Sequence, residues 1–454
     1  MDSVPPSARA SKRRRHIVLL AYHFPPDPAV GALRPARVAR ELANAGYRVT
    51  VIAAPLPGGS VEAETVDDPA ISIRRVALQP GLRDLQHRIG SAFRRLRRTS
   101  PTPATEASSA TWLPPSGVAP WRRNLLSLLW LPDDRQGFIM PAVRAGFSEI
   151  RAGADLIYST APPFSAHVAG LLLKLWSGAS WIAEFRDPWT DNPGKPAFVR
   201  SRFSDTSERW LERRVLRAAD LIVAVTRSTR DLLANKLQAD EADRVIVSMN
   251  GIGAVRQERN GAAPREGPIR ILYTGNLYLE RNPTGFLRAL GHARARMHFT
   301  PDDVRLDFVG DCQHFLGRPV RAIAEECGVA DLTHFTAWAS PDDCRKLQEN
   351  ADLLLLLATG QPAQVPNKLF EYLGSRKPIL AFLDDRGDSA GMLREVEGHH
   401  VITEKDSPAE RDAIVAEAIR LARVSPTRGN AAVLEQWATT LQMRRLLDAV
   451  AGVR

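Results

Sequence analysis

The stretch Leu353-Leu354-Leu355-Leu356-Leu357-Ala358-Thr359-Gly360, followed by Val365-Pro366-Asn367-Lys368-Leu369-Phe370-Glu371-Tyr372-Leu373-Gly374 and then Lys377-Pro378-Ile379-Leu380-Ala381-Phe382, decides the fold. The leucine run is apolar without alternation, as a strand covered on both faces requires. Pro366 pre-sets φ for a helix start. Leu369, Phe370 and Leu373 recur at helical spacing and turn to a core. Asn367 and Lys368 fall in the first turn, and Glu371, three and four residues on, shares their face. A second apolar run follows at once. Strand, helix, strand in this order is the unit of a parallel α/β sheet.

Working outward, such runs recur in two sets. The first comprises His16 to Ala21, Arg48 to Ala53, Ile71 to Val76, Asp155 to Ser159, Trp181 to Phe185, Asp220 to Val225 and Val245 to Met249. The second comprises Ile269 to Tyr273, Val304 to Val309, Leu332 to Thr336, Ala351 to Leu357, Pro378 to Phe382 and His400 to Thr403. Between them lies a polar linker, 256–268. The reading is α/β: two doubly wound, Rossmann-like domains, 16–255 and 269–430, with a closing helical segment at 431–454 and a disordered basic tail at 1–15.

The chain has 454 residues, 44% apolar and 25% charged, which excludes a disordered chain or a small stapled scaffold. Its +10 net charge is uneven: residues 1–130 hold 19 Lys+Arg against 9 Asp+Glu, and the rest of the 61 and 51 balance at 42 each. The three cysteines, Cys312, Cys327 and Cys344, have neither disulfide-framework nor zinc spacing. No metal or cofactor is expected, and the compartment is expected to be reducing. The longest apolar runs fall far short of the ~20 residues of a bilayer span.

An insertion at 80–145 interrupts the first domain. Within it Leu82, Leu85, Ile89, Phe93 and Leu96 recur at helical spacing among Arg94, Arg95, Arg97 and Arg98, and Trp121 to Trp130 repeats the mixture of Arg, Leu and Trp. A basic amphipathic segment of this kind lies on anionic membranes, or docks on its own domain with a solvated basic face. The expected membrane contacts are Arg94, Arg95, Arg97, Arg98, Trp121 and Trp130.

Ligands of open parallel sheets bind beyond the carboxyl ends of the strands. Gly31 follows the first strand at a helix start, where a phosphate can approach backbone N–H groups. Arg186 and Asp187 follow the strand Trp181 to Phe185; a carboxylate beside a guanidinium orients a hydroxyl or stabilises developing charge, or else caps the strand. In the second half, Gly275 and Asn276 follow Tyr273, and Arg281 can clamp a diphosphate. The helix end at Asn367 and Lys368 offers N–H donors and an ammonium to phosphate, with Glu371 one turn deeper to accept from a ribose.

With these residues placed, the chain resembles the retaining nucleotide-sugar glycosyltransferases of family four, whose GT-B fold sets two Rossmann-like domains across a cleft. Its specific parts are Val365 to Gly374 with Lys377 to Ala381, Tyr273 to Leu277, and Glu184-Phe185-Arg186-Asp187-Pro188-Trp189. It is most similar to the subgroup that builds cell-surface polysaccharides on lipid-linked acceptors. The resemblance implies that Arg281 holds the donor diphosphate. Asn276 stands where the family has a second basic residue, so Lys368 completes the clamp. Glu371 matches the ribose-binding glutamate, and Ala363 replaces its partner. Asp187 lines the reaction centre, Ala337 and Trp338 with Gly310 lie near the base, and the last helix returns to the first domain.

The implied reaction transfers a sugar from a nucleotide-diphosphate donor to a hydroxyl, with retention and without a metal. The acceptor is a polyprenyl-linked lipid or a glycan, and the enzyme is cytoplasmic, peripheral on the inner face of the membrane. Alternatives are another GT-B activity, a nucleotide-sugar epimerase or hydrolase, and a catalytically silent membrane scaffold. The basic charge also raises nucleic-acid binding, which the absence of any recognised module or stacking platform argues against.

Overall fold

A computed structural model describes residues 14–56, 68–81, 130–192, 201–253, 266–278, 281–424 and 431–453. Most of the tail, residues 256–265 of the linker, and 82–129 of the insertion, with Arg94, Arg95, Arg97, Arg98 and Trp121, lie outside these residues.

The first domain is a seven-stranded sheet of β1 (His16–Ala21), β2 (Arg48–Ala53), β3 (Ile71–Arg75), β4 (Leu156–Ala161), β5 (Ser180–Phe185), β6 (Leu221–Ala224) and β7 (Val245–Val247), in the order β3-β2-β1-β4-β5-β6-β7. The second is six-stranded: β8 (Ile269–Thr274), β9 (Val304–Val309), β12 (Thr333–Thr336), β13 (Leu353–Ala358), β14 (Ile379–Leu383) and β15 (His400–Ile402), in the order β12-β9-β8-β13-β14-β15. A short hairpin, β10 (His314–Phe315) and β11 (Arg318–Pro319), stands apart from the sheet. Every strand pair within the two large sheets is parallel.

Parallel strands need helical crossovers, and these cover both faces of each sheet. In the first domain the helices Ile139–Arg151, Ser165–Ser177 and Arg202–Ala218 bury one face, packing Val143, Leu173 and Val215 with Trp181 and Phe185. The helix Leu33–Asn44 covers the other through Val38 and Leu42. Met443, Leu446 and Val450 of the last helix, Thr439–Gly452, join that same core, so the end of the chain packs on the first domain. The second sheet is covered by Thr284–Met297 and Pro408–Leu421 on one face and by Asn367–Ser375 and Asp388–Arg394 on the other.

The closing segment was expected as one helix. It is two, Ala431–Glu435 and Thr439–Gly452. Ile252 N–H donates to the Trp437 carbonyl at 2.7 Å and Thr439 N–H donates to the Ile252 carbonyl at 2.9 Å. These bonds to the first domain's exit strand replace the helical ones and break the helix there.

In each sheet the strand order reverses next to the first strand, between β1 and β4 and between β8 and β13. The loops leaving those strands form the crevice in which ligands of such sheets bind.

Candidate functional site

Those loops meet around a cleft of about 590 Å³ between the domains. From the first domain it is lined by His23, Gly31, Arg34, Arg37, Arg186 and Asp187, and from the second by Tyr278, Arg281, Gln364 and Asn367. The lining is strongly cationic, as an anionic ligand requires.

On the second-domain side, β8 is followed by Gly275 at φ +118°. A Cβ there would come within 2.6 Å of Lys368 Nζ, so only glycine lets the ammonium approach. Lys368 donates to the Thr274 carbonyl at 2.7 Å and lies 4.2 Å from the Tyr273 ring centroid. Burial, and next the charge of Arg281, bring its pKa down to about 7. Arg281 packs its guanidinium 4.4 Å over the Tyr278 ring and has a buried Nε with no hydrogen-bond partner among the described residues. The helix Asn367–Ser375 begins without a side-chain cap and without an acidic residue in its first turn. Its first N–H groups are therefore open to an anion.

Glu371 does not pair with Lys368. It accepts from Asn367 Nδ2 at 2.9 Å and from Gln348 Nε2 at 3.4 Å, and is exposed. Lys368 turns to the strand instead, because a buried ammonium needs an acceptor at hand. Asn276, expected to bind the donor, accepts at its Oδ1 from Asp311 N–H at 3.2 Å and so fastens the loop after β9. Gly310, at φ +122°, belongs to the same fastening: a Cβ on it would meet the Gly275 carbonyl oxygen at 2.5 Å. Ala337 and Trp338 stand exposed beyond β12 and do not line the cleft.

On the first-domain side, Asp187 Oδ1 accepts from Gln364 Nε2 at 3.0 Å across the cleft. Burial raises the Asp187 pKa, and Arg186 alongside offsets this only in part. The Arg186 guanidinium itself is engaged by backbone, donating to the Gly31 carbonyl at 2.5 Å and to the Pro162 carbonyl. Arg186 therefore positions the loops after β1 and β4 rather than presenting its fork to a ligand. At Gly31, which lines the cleft, the nearest neighbour of a Cβ is likewise Arg186 Nη1, at 3.2 Å.

Behind the cleft Glu184 accepts from Arg34 Nε at 2.9 Å, Tyr158 at 2.8 Å and Thr160 at 2.7 Å. Burial alone would raise its pKa, but Arg34 and the two hydroxyls outweigh it and hold the carboxyl below its ordinary value. Arg34 also donates to the carbonyls of Met249 and Ser248, tying β1's helix to the exit of β7. His23 Nδ1 and Asp27 Oδ2 lie 2.6 Å apart at the cleft wall. Burial pushes Asp27 up, yet the bonds from His23 and from Ala29 N–H bring it below its usual range.

Gln364, Tyr278, His23 and Arg34 were not among the expected site residues. His23 and Asp27, four apart in a proline-rich loop, left a local trace; Gln364 and Asp187 are separated by 177 positions and left none. Trp130, the one expected membrane contact that is described, is half-buried beside the turn before the Ile139–Arg151 helix. Among the described residues no helix is long and apolar enough to cross a membrane.

Residues 103–251 match the glycosyl transferase 4-like domain family. The chain has the GT-B fold of known glycosyltransferases. Over 97% of its length the chain is similar to HepE of Anabaena, solved in complex with UDP, with all of that chain covered at 13% identity and a TM-score of 0.62. Sucrose-phosphate synthase of Thermosynechococcus elongatus aligns at 14% identity over 96% of this chain and all of the synthase, with a TM-score of 0.55. WaaG, a glycosyltransferase involved in lipopolysaccharide biosynthesis, aligns at 14% identity over 95% of each chain, with a TM-score of 0.53. At these identities the likeness is one of fold. No curated protein matches the sequence.

Proposed function

We propose that this protein is a glycosyltransferase that moves a sugar from a nucleotide-diphosphate donor to a hydroxyl of a lipid-linked acceptor, with retention at the anomeric carbon, in the assembly of a cell-surface polysaccharide. The observation that carries this reading is the cleft itself: Arg281 and an uncapped helix end on one wall, Asp187 on the other, and Gln364 spanning them. The complexes of HepE with UDP and with UDP-glucose support a nucleotide sugar as donor. The WaaG likeness supports a lipid-borne acceptor.

In the reaction the bond from the anomeric carbon to the diphosphate oxygen breaks and a bond to the acceptor oxygen forms on the same face. Negative charge grows on the departing diphosphate, where Arg281, Lys368 and the first N–H groups of the Asn367–Ser375 helix stabilise it. Asp187 accepts a hydrogen bond from the acceptor hydroxyl and orients it, its basicity increased by burial, and the proton passes to the departing diphosphate.

The test is a screen of nucleotide-sugar donors, read by release of free nucleotide, on the wild type and two variants. Asp187→Asn should lower kcat by about 100-fold with donor affinity nearly unchanged, since it removes the orienting carboxylate from the acceptor side. Arg281→Ala should weaken donor binding by roughly 10- to 100-fold, as loss of a charge-assisted contact does. Full turnover by the Asp187 variant would refute the assignment.

A further inference from the structure

The helix Arg202–Ala218 turns two unlike faces to its surroundings. Inward go Ser204, Glu208, Glu212, Val215 and Leu216, all buried. Outward go Phe203 and Trp210, 55% and 58% exposed and two turns apart on nearly the same line. Around them stand Arg202, Arg209, Arg213, Arg214 and Arg217, every one exposed. At about 100° per residue these seven side chains fall within an arc of about 140°. The acids of the helix are all elsewhere: Glu208 and Glu212 are buried and Asp205 is half-buried. The Arg214 guanidinium lies 5.2 Å from the Trp210 ring centroid. The neighbouring helix Ser165–Ser177 packs beside this one and exposes Leu175 and Trp176 at its end, at 67% and 57%.

We infer that this face is a lipid-binding surface that docks the enzyme on a bilayer carrying anionic headgroups. A stripe of arginines alone is an ordinary solvated face, and so is a single exposed tryptophan. Here both occupy one arc that excludes every acid, which is the pattern of a helix lying in the interface: rings at the level of the headgroups, guanidinium groups among the phosphates. Phe203, Trp210, Leu175 and Trp176 favour lipid over nucleic acid, because binding to a phosphate backbone gains little from apolar side chains. The surface is distinct from the basic segment within 82–129.

Docking through this helix also orients the reaction. Its buried Glu212 accepts from Lys236 Nζ at 2.7 Å and from Thr190 Oγ1 at 2.5 Å, and Lys236 donates to Asp191 as well. The loop after β5, which carries Asp187, is thereby fixed to the back of the membrane-facing helix. A membrane-borne acceptor then arrives on the side of the cleft where Asp187 stands. This last step rests on the proposed function; the lipid contact is read from the helix alone.

The test is co-sedimentation of the full chain with phosphatidylcholine vesicles, with and without phosphatidylglycerol. Arg209→Gln/Arg213→Gln/Arg217→Gln should weaken binding to the anionic vesicles by about 100-fold, the effect of three interfacial arginines. Phe203→Ser/Trp210→Ser should weaken it too, and both variants should bind UDP as the wild type does, which shows them folded. Wild-type sedimentation of both variants would overturn the inference. So would loss of binding only on neutralising Arg94, Arg95, Arg97 and Arg98, or duplex DNA binding that the arginine variant loses while its vesicle binding persists. Should no donor turn over at all, helix-dependent vesicle binding would uphold this surface while the proposed function fell.

Discussion

Binding of the donor diphosphate should draw a proton onto Lys368. In the free enzyme burial and Arg281 hold this lysine near pKa 7. In the proposed complex a diphosphate held at Arg281 supplies opposite charge close to Lys368 and returns the pKa toward the ordinary lysine value of about 10.4. With a free-state pKa of about 7, the ammonium is about nine-tenths deprotonated at pH 8 and about half at pH 7. Binding of UDP should therefore take up about 0.9 proton per site at pH 8 and about 0.5 at pH 7. Since only the protonated form holds the anion well, affinity should fall about fivefold between those two pH values. Calorimetry in two buffers of different ionisation enthalpy measures the uptake directly. Lys368→Ala should abolish it, and Lys368→Arg should abolish it while retaining binding, because a guanidinium stays charged throughout. Absence of proton uptake by the wild type, or uptake unchanged in Lys368→Ala, would refute the reasoning.

Glu184→Gln should lower stability by about 3–5 kcal/mol, the effect of leaving a buried charge, here Arg34, without its counter-ion; thermal melts should show it, and an unchanged Tm would contradict the structural role assigned to the pair. Gly310→Ala should destabilise by about 1–3 kcal/mol and weaken UDP binding, since the residue is held at φ +122° against the Gly275 carbonyl. Gly391→Ala, in the Asp388–Arg394 helix with nothing near its added Cβ, should do the opposite and stabilise by about 0.5–1 kcal/mol.

The strands were legible because parallel, doubly covered strands must be apolar throughout: β1, β2 and β9 run between the expected ends, His16–Ala21, Arg48–Ala53 and Val304–Val309. The β10–β11 hairpin escaped because two residues per strand carry no period. At the site, strand-end position alone brought Asp187, Arg281 and Asn367 to the cleft. Helical spacing placed Lys368 and Glu371 on one face but could not say what each would bind. That was settled by partners distant in sequence, the Thr274 carbonyl that accepts from Lys368 94 positions on and the Gln348 amide that donates to Glu371 23 positions on. The double use of Arg186 as a loop brace was hidden for the same reason: its partners are backbone carbonyls, which have no sequence signature.

Ala363, where the resemblance leads one to look for a glutamate, contributes its carbonyl, which accepts the hydroxyls of Thr226 at 2.8 Å and Thr229 at 3.0 Å. Together with the Gln364 bond to Asp187 this makes a latch between the halves, while the Ile252 and Trp437–Thr439 crossings, bonded side by side, make a pivot. Each latch bond contributes about 0.5–1.5 kcal/mol net, and Ser228 N–H adds another by donating to Asp388 Oδ2 at 2.9 Å. The atoms at the position where the resemblance leads one to look for a sugar contact thus join the acceptor side of the cleft to the donor side.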